Sequence, residues 1–99
     1  MKKGSYFIAI SEKGKKYKAS VDGYIFEISG IKFGVTNNGR NGEKIYDWVI
    51  TELTSGCLVG RCNKKADAVN SAAPLVEKLL TIWKRPNQER FLVESLPTI

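Results

Sequence analysis

Lysine and arginine side chains form three groups along this sequence, and these residue types bind phosphate or acidic surfaces. Residues 1–20 carry six lysines and a single acidic residue, Glu12. The other two groups are Arg61, Lys64 and Lys65, and then Lys84, Arg85 and Arg90. The formal net charge of the chain is +6. Because binding of clustered cations to phosphates releases counterions, this pattern predicts a surface for nucleic acid or a nucleoprotein.

The basic residues also have a structural explanation. Lysines on an edge strand deter edge-to-edge aggregation and keep a small domain soluble. A basic isoelectric point without a motif is a weak indicator of function. Lys64 and Lys65 would lie in the first turn of a predicted helix, where cations oppose the helix dipole. Such a placement fits either a ligand contact or a solvated pair of lysines, and both interpretations stay open.

Aromatic residues lie close in the sequence to some of the basic residues. Tyr46 and Trp48 share one face of the longest predicted strand, and Arg40 and Lys44 precede them. Aromatic side chains beside cations on a sheet can stack single-stranded bases, although packing in the core is the commoner role of such residues. The candidate nucleic-acid contacts are Lys13, Lys15, Lys16, Lys18, Arg40, Lys44, Lys64 and Lys65, with Tyr46 and Trp48 as candidate stacking residues.

Residues for catalysis or metal binding are sparse. The chain has no histidine, which excludes histidine-based triads and proton shuttles. Its two cysteines, Cys57 and Cys62, would lie ~16 Å apart on a strand, too far for a disulfide bond unless the chain turns back between them. We expect them to be free thiols, buried or half-buried. The carboxylates Asp22, Glu27, Asp47 and Glu52 lie on separate predicted turns and strands, and nothing in their pattern points to a catalytic dyad. These features predict a non-enzymatic protein with no cofactor and no metal.

Period-two alternation of apolar residues dominates the first 61 residues and predicts β-strands. Asp22-Gly23 and Ser29-Gly30 have the composition of tight hairpin turns. The strand predicted at 45–54 is apolar on both faces, so it is either central or has a binding surface on one face. About six strands are predicted, at 6–10, 16–21, 24–28, 31–35, 45–54 and 57–61.

Helical spacing of apolar residues begins after Asn63, a good N-cap, and predicts helix from about 64 to 84. Pro74 interrupts the pattern, so the segment is either one helix kinked at Pro74 or two helices with Ser71 capping the second. Residues 88–96 fit a short helix or a last strand. We assign one apolar row to the core, with a parallel row flanking it: Val69, Ala73, Val76, Leu80 and Trp83, flanked by Ala72, Leu75, Leu79 and Ile82.

Strands followed by a helix predict one α+β domain over residues 1–99. Its antiparallel β-meander (5–61) would carry the helix on one face. The layout is similar to that of Whirly-type and Pur-type single-strand binders and of pleckstrin-homology-like domains, and a layout does not determine function. No apolar run reaches the ~20 residues that span a bilayer, and the apolar stretch near the N-terminus is too short for a signal peptide. We therefore expect a cytoplasmic protein with no membrane partner.

Three functions remain open at this point. The leading prediction is a small binding protein whose basic surface engages nucleic acid or a nucleoprotein complex. The alternative is an inhibitor or adaptor from a phage or mobile element, such as an anti-CRISPR or other anti-defence protein. It would bind a host protein through a sheet face or edge. The third is a structural subunit that oligomerises through the 45–54 strand.

Overall fold

The computed structural model describes residues 1–37, 47–83 and 92–98. Within them, five antiparallel strands form one sheet, and each strand pairs with its neighbours in the sequence. The strands are β1 (Lys2–Glu12), β2 (Lys15–Ile28), β3 (Ile31–Asn37), β4 (Trp48–Glu52) and β5 (Cys57–Cys62). A 3₁₀ turn (Lys65–Asp67) leads into helix α1 (Ala68–Trp83), and a second 3₁₀ turn covers Val93–Ser95. The prediction of an antiparallel sheet followed by a C-terminal helix is confirmed.

The described residues contain five strands, where about six were predicted, because β2 continues through Asp22-Gly23. These two residues pair with Ser5 and Gly4 on β1 instead of forming a turn. A Cβ atom at position 23 would clash with the carbonyl group of Val35. Gly23 therefore allows β3 to approach β2 closely. A glycine between apolar residues can mark such a close approach within a strand as well as a turn. The prediction of a turn at this dipeptide was wrong.

Two other dipeptides make the tight turns. Lys13-Gly14 joins β1 to β2 with φ angles of 50° and 78°, and Ser29-Gly30 joins β2 to β3 with φ angles of 51° and 84°. Two consecutive positive φ angles match the right-handed twist of the flanking strands in a two-residue hairpin. The predicted Ser29-Gly30 turn is confirmed.

Strand β4 is shorter than the strand predicted at 45–54. Residues 45–46 lie outside the described residues, and the strand ends at Glu52. The Glu52 side chain is only 2% exposed, and its carboxylate accepts hydrogen bonds from the backbone N–H groups of Thr54 and Ser55. The strand thus ends where a buried carboxylate accepts hydrogen bonds from the amides of the following turn. The alternation of apolar residues does not predict this end, because it carries no information about a buried acidic residue.

Helix α1 packs across one face of the sheet with a stripe that combines residues of both predicted rows. Val76, from the predicted core row, is buried as expected, and Leu80 is half-buried against the core. Ala72, from the flanking row, is completely buried, whereas Val69 is 39% exposed and Ala73 is also exposed. Both rows are apolar, and small alanine side chains let the helix lie close to the strands. The side chains of residues 82–83 lie outside the described part of the structure. The buried core comprises Phe26, Ile31, Phe33, Val35, Ile50, Ala68, Ala72 and Val76.

The helix begins later than predicted and is continuous. Lys64, not Asn63, holds the cap position of the 3₁₀ turn, and no side chain caps it. Pro74 lies inside α1, so the prediction of one helix across this proline is confirmed, and the alternative of a second helix capped by Ser71 was wrong. Of the segment predicted at 88–96 as helix or strand, the described part forms a 3₁₀ turn. No helix among the described residues is long and apolar enough to cross a membrane.

The sheet curls so that β1 approaches the turn between β4 and β5. The N–H of Ala9 donates to the carbonyl oxygen of Gly56 over 2.9 Å. On the sheet face opposite the helix, the Tyr6 ring lies directly against Gly34 of β3, where a Cβ atom would clash with it. Thr51, which pairs with Gly34, is 2% exposed. Tyr6 therefore closes part of the second face of the sheet.

The Tyr6 side chain is buried, and its hydroxyl has no hydrogen-bond partner among the described residues. Burial raises the pKa of Tyr6 from 10.0 to about 12, because ionisation would place a charge in an apolar environment. An unpaired buried hydroxyl costs stability, so hydrophobic contact with Gly34 and its neighbours must outweigh that cost.

We expect Ala72→Leu to destabilise the protein by ~1–3 kcal/mol, because the larger side chain cannot fit between α1 and the sheet. Ala73→Leu is the matched control on the exposed side and should change the free energy of unfolding by less than ~0.5 kcal/mol. Urea denaturation measures both values. Equal effects of the two substitutions would contradict the orientation of the helix.

We expect the free energy of unfolding to fall as pH rises from 10.0 to about 12 in the wild-type protein. The unfolded chain releases the Tyr6 proton near pH 10.0 while the folded chain keeps it, so stability is lost across that interval. Tyr6→Phe should remove this contribution and should be at least as stable near neutral pH, since it removes an unpaired hydroxyl. A loss above ~1 kcal/mol at neutral pH would show that the hydroxyl is hydrogen-bonded.

Candidate nucleic-acid interface

Two aromatic side chains lie together on the helix-facing side of the sheet, at one end of it. Tyr24 on β2 and Trp48 on β4 are half-buried, and both pack against the edge of the core. Their ring centroids are 6.5 Å apart, and the ring planes are tilted by 55°. The buried parts of the two rings fix their positions, while the remaining parts face solvent. This arrangement presents a preorganised aromatic surface.

Lysines flank the aromatic pair. The Lys65 ammonium lies 3.9 Å from the centroid of the Tyr24 ring, a cation–π contact. Lys3 pairs with Tyr24 across β1 and β2 and is exposed, as is Lys64. Lys65 lies beside the helix N-terminus, where the helix dipole disfavours cations. Its contact with the Tyr24 ring offsets this unfavourable interaction. We call Lys3, Tyr24, Trp48 and Lys65 the sheet-end cluster.

A shallow cleft of about 260 Å³ adjoins the cluster, smaller than the ~300–1,000 Å³ of pockets that enclose drug-sized ligands. Among the described residues that line this cleft, Asp22 is the only one with a carboxylate. The Ser5 hydroxyl donates to the Asp22 carboxylate over 2.6 Å, and the Thr36 hydroxyl donates to the Asp22 carbonyl oxygen over 2.9 Å. The cleft is lined by Lys3, Asp22, Gly23, Tyr24, Thr36, Asn37 and Trp48.

Of the residues predicted from the sequence, Trp48 and Lys65 come together here, with Tyr24 between them. Lys64 is their exposed neighbour. Trp48 lies on the same face of β4 as Ile50, so the helix-covered face of this strand is now identified. The predicted contacts Arg40, Lys44 and Tyr46 lie outside the described residues.

The remaining predicted contacts lie at the opposite end of the β1–β2 hairpin. Lys15 is nine residues from Tyr24 along β2, up to ~30 Å at ~3.3 Å per residue. These lysines therefore do not form one surface with the sheet-end cluster. They are Lys13 in the turn and Lys15, Lys16 and Lys18 on β2.

The lysines at the hairpin end are divided between two faces. Lys16 and Lys18 share one face of β2 by alternation, and Lys15 lies on the other. Lys15 lines a shallow depression of about 340 Å³ together with Glu12, Lys13 and Tyr17. The Lys18 ammonium donates to the carbonyl oxygen of Glu94 over 3.2 Å, so part of its hydrogen-bonding capacity is already used.

The two cysteines are free, as predicted, and they lie at the two ends of β5. Cys62 pairs with Trp48 across the sheet and is half-buried, but Cys57 is exposed, so its predicted burial was wrong. Burial raises the pKa of the Cys62 thiol, and the nearby Asp67 carboxylate adds to this effect. Its S–H donates to the Lys64 carbonyl oxygen over 3.2 Å. Among the described residues, no three His, Cys, Asp or Glu side chains group as a metal site.

Sequence reasoning missed Tyr24 and Lys3 as members of the site. Tyr24 was assigned only to an apolar row of a strand, and its position opposite Lys3 depends on the register of β1 against β2. The arrangement can stack a planar group and bind an anion beside it. No protein-family model, curated protein or solved structure gives a significant match to this chain.

A double-mutant cycle tests the Lys65–Tyr24 contact. Lys65→Ala and Tyr24→Leu should show a coupling free energy of ~0.5–1 kcal/mol in thermal or urea unfolding, because each substitution removes the same cation–π contact. Lys64→Ala combined with Tyr24→Leu is the matched control and should be additive. A coupling indistinguishable from that of the Lys64 pair would show that Lys65 does not rest on the ring in solution.

Proposed function

We propose that this protein binds single-stranded nucleic acid through the sheet-end cluster and catalyses no reaction. The observation that carries the proposal is the pair of half-exposed rings, 6.5 Å apart, with Lys65 over one of them and Lys3 beside it. Aromatic side chains stack on unpaired bases of any sequence, and lysines bind the neighbouring phosphates. The net charge of +6 favours association with a polyanion.

The geometry favours a single strand over a duplex. The aromatic rings lie beside a cleft of about 260 Å³, and an unstacked base can enter such a cleft while a paired base cannot. In the proposed complex Trp48 stacks on a base, and Lys3 and Lys65 bind the flanking phosphates. The Asp22 carboxylate repels phosphate but accepts hydrogen bonds from amino groups on a base edge, so we assign it to the base and not to the backbone.

Binding to a fluorescein-labelled oligothymidylate of about ten nucleotides tests the proposal by fluorescence anisotropy. Trp48→Ala should weaken binding by ~1–3 kcal/mol, roughly 5- to 150-fold, on the single strand and much less on a duplex. Lys65→Gln should also weaken binding, and the slope of log affinity against log salt should fall by about 1 because one phosphate contact is lost.

Lys78→Gln is the control for Lys65→Gln, since Lys78 is exposed on α1, away from the cluster, and the change in charge is the same. Equal losses from these two variants would mean that net charge, not the cluster, determines binding. A larger loss of affinity from Lys13→Gln than from Lys65→Gln would show that the binding site lies at the hairpin end. If wild-type protein shows no binding at ~50 mM salt, the proposal is wrong, and the inhibitor or adaptor alternative takes the lead.

A further inference from the structure

Strand β1 forms one edge of the sheet, and its hydrogen bonds show which groups point outward. Ala9 lies opposite Lys18 on β2, yet its N–H donates in the other direction, to Gly56. In an antiparallel pair, residues alternate between bonding to the partner strand and pointing away from it. Residues 3, 5 and 7 share the alternation of Ala9, so their N–H and C=O groups also point away from β2.

This stretch of the edge is open among the described residues. Lys3, Ser5 and Phe7 are all exposed, and no backbone hydrogen bond from another described segment reaches them. The Ala9–Gly56 bond closes the edge at one end. The open stretch, Lys3–Phe7, is ~17 Å long at ~3.4 Å per residue, which is the length of a typical short strand. We call it the β1 edge.

The charge beside the β1 edge is positive. Lys2 and Lys3 begin the strand, and the Lys18 ammonium lies 4.7 Å from the centroid of the Phe7 ring. Asp22 faces Ser5 and accepts its hydroxyl hydrogen bond. Edge lysines disfavour pairing with a second copy of this chain, because the same charges would meet each other. They favour an acidic strand, through electrostatic complementarity.

We propose that the β1 edge binds an extended acidic segment of a partner protein, which adds to the sheet as a further strand. The backbone groups of residues 3, 5 and 7 provide about six hydrogen-bonding groups, two at each residue. Lys2 and Lys3 pair with carboxylates of the segment, and the exposed Phe7 ring contacts one of its apolar side chains. The β1 edge adjoins the proposed nucleic-acid site, and Lys3 belongs to both.

Amide hydrogen exchange of the full-length protein tests this site with a synthetic peptide of about seven residues, made of valine and threonine with two adjacent glutamates at the end that faces Lys2 and Lys3. At saturation, exchange at Ser5 and Phe7 should slow by at least ~10-fold, because new hydrogen bonds protect these amides. The amides of Tyr6 and Ile8 already bond to β2 and should change little. A peptide with lysine in place of glutamate should give no protection.

Two variants distinguish the contribution of the backbone N–H groups of the β1 edge from that of its side chains. Ser5→Pro removes an outward N–H and should abolish peptide binding, whereas Ser5→Ala loses the same bond to Asp22 but keeps the N–H and should bind normally. If Ser5→Pro fails to fold, a peptide N-methylated at alternate residues serves the same purpose with wild-type protein and should not bind.

Three results would overturn the proposal. The first is no protection of Ser5 and Phe7 by the acidic peptide. The second is protection that appears without peptide and grows with protein concentration, since a second copy of the chain would then occupy the edge. The third is protection of Ser5 and Phe7 by oligothymidylate and not by the peptide, which would assign the edge to nucleic acid.

Discussion

Contact between Tyr6 and Gly34 determines which surfaces of this protein remain available. A ring on β1 occupies the space that a side chain on β3 would fill, although β2 lies between the two strands. The sheet must therefore curl, which brings Ala9 to Gly56 and covers the centre of the face opposite the helix. Helix α1 covers the other face. Both proposed sites consequently lie at the margins of the sheet, one at its end and one along β1.

The sheet-end cluster shares residues with the core. Tyr24 and Trp48 pack against the buried core, so the packing that stabilises the fold also holds the two rings in place. Lys65 reaches the cluster because the chain turns from β5 into a 3₁₀ turn before α1 begins. A binding surface built on strands and fixed by packing loses little conformational entropy when a ligand arrives. In the proposed complex the lysines around this surface attract the phosphates of the nucleic acid, and that attraction weakens as the salt concentration rises.

The sequence predicted features that depend on local pattern. Alternation located the strands, and the change to helical spacing located α1, since both reflect one buried face of a single element. The local pattern failed where one residue type fits two structural roles. Gly23 is compatible with a tight turn and equally with a strand position that a neighbouring strand approaches closely. The local pattern also failed between two apolar helix rows, where only the sheet decides that Ala72 is buried and Val69 is not. The sheet-end cluster depends on the register of the strands and on the path of the chain from Cys62 to Lys65. Both are determined by packing between distant segments, so the local pattern of a single sequence does not predict them.

The indole N–H signals of the two tryptophans, assigned with Trp48→Phe, test the central claim most directly. Trp48 lies in the sheet-end cluster, and Trp83 ends α1, whose opposite end lies near Lys65. In a titration of ¹⁵N-labelled protein with oligothymidylate, we expect the Trp48 indole signal to shift progressively, while the backbone amide signals near Lys13 and Lys15 stay in place. A saturating titration that leaves the Trp48 signal unmoved, while amides near Lys13 and Lys15 shift, would contradict the account.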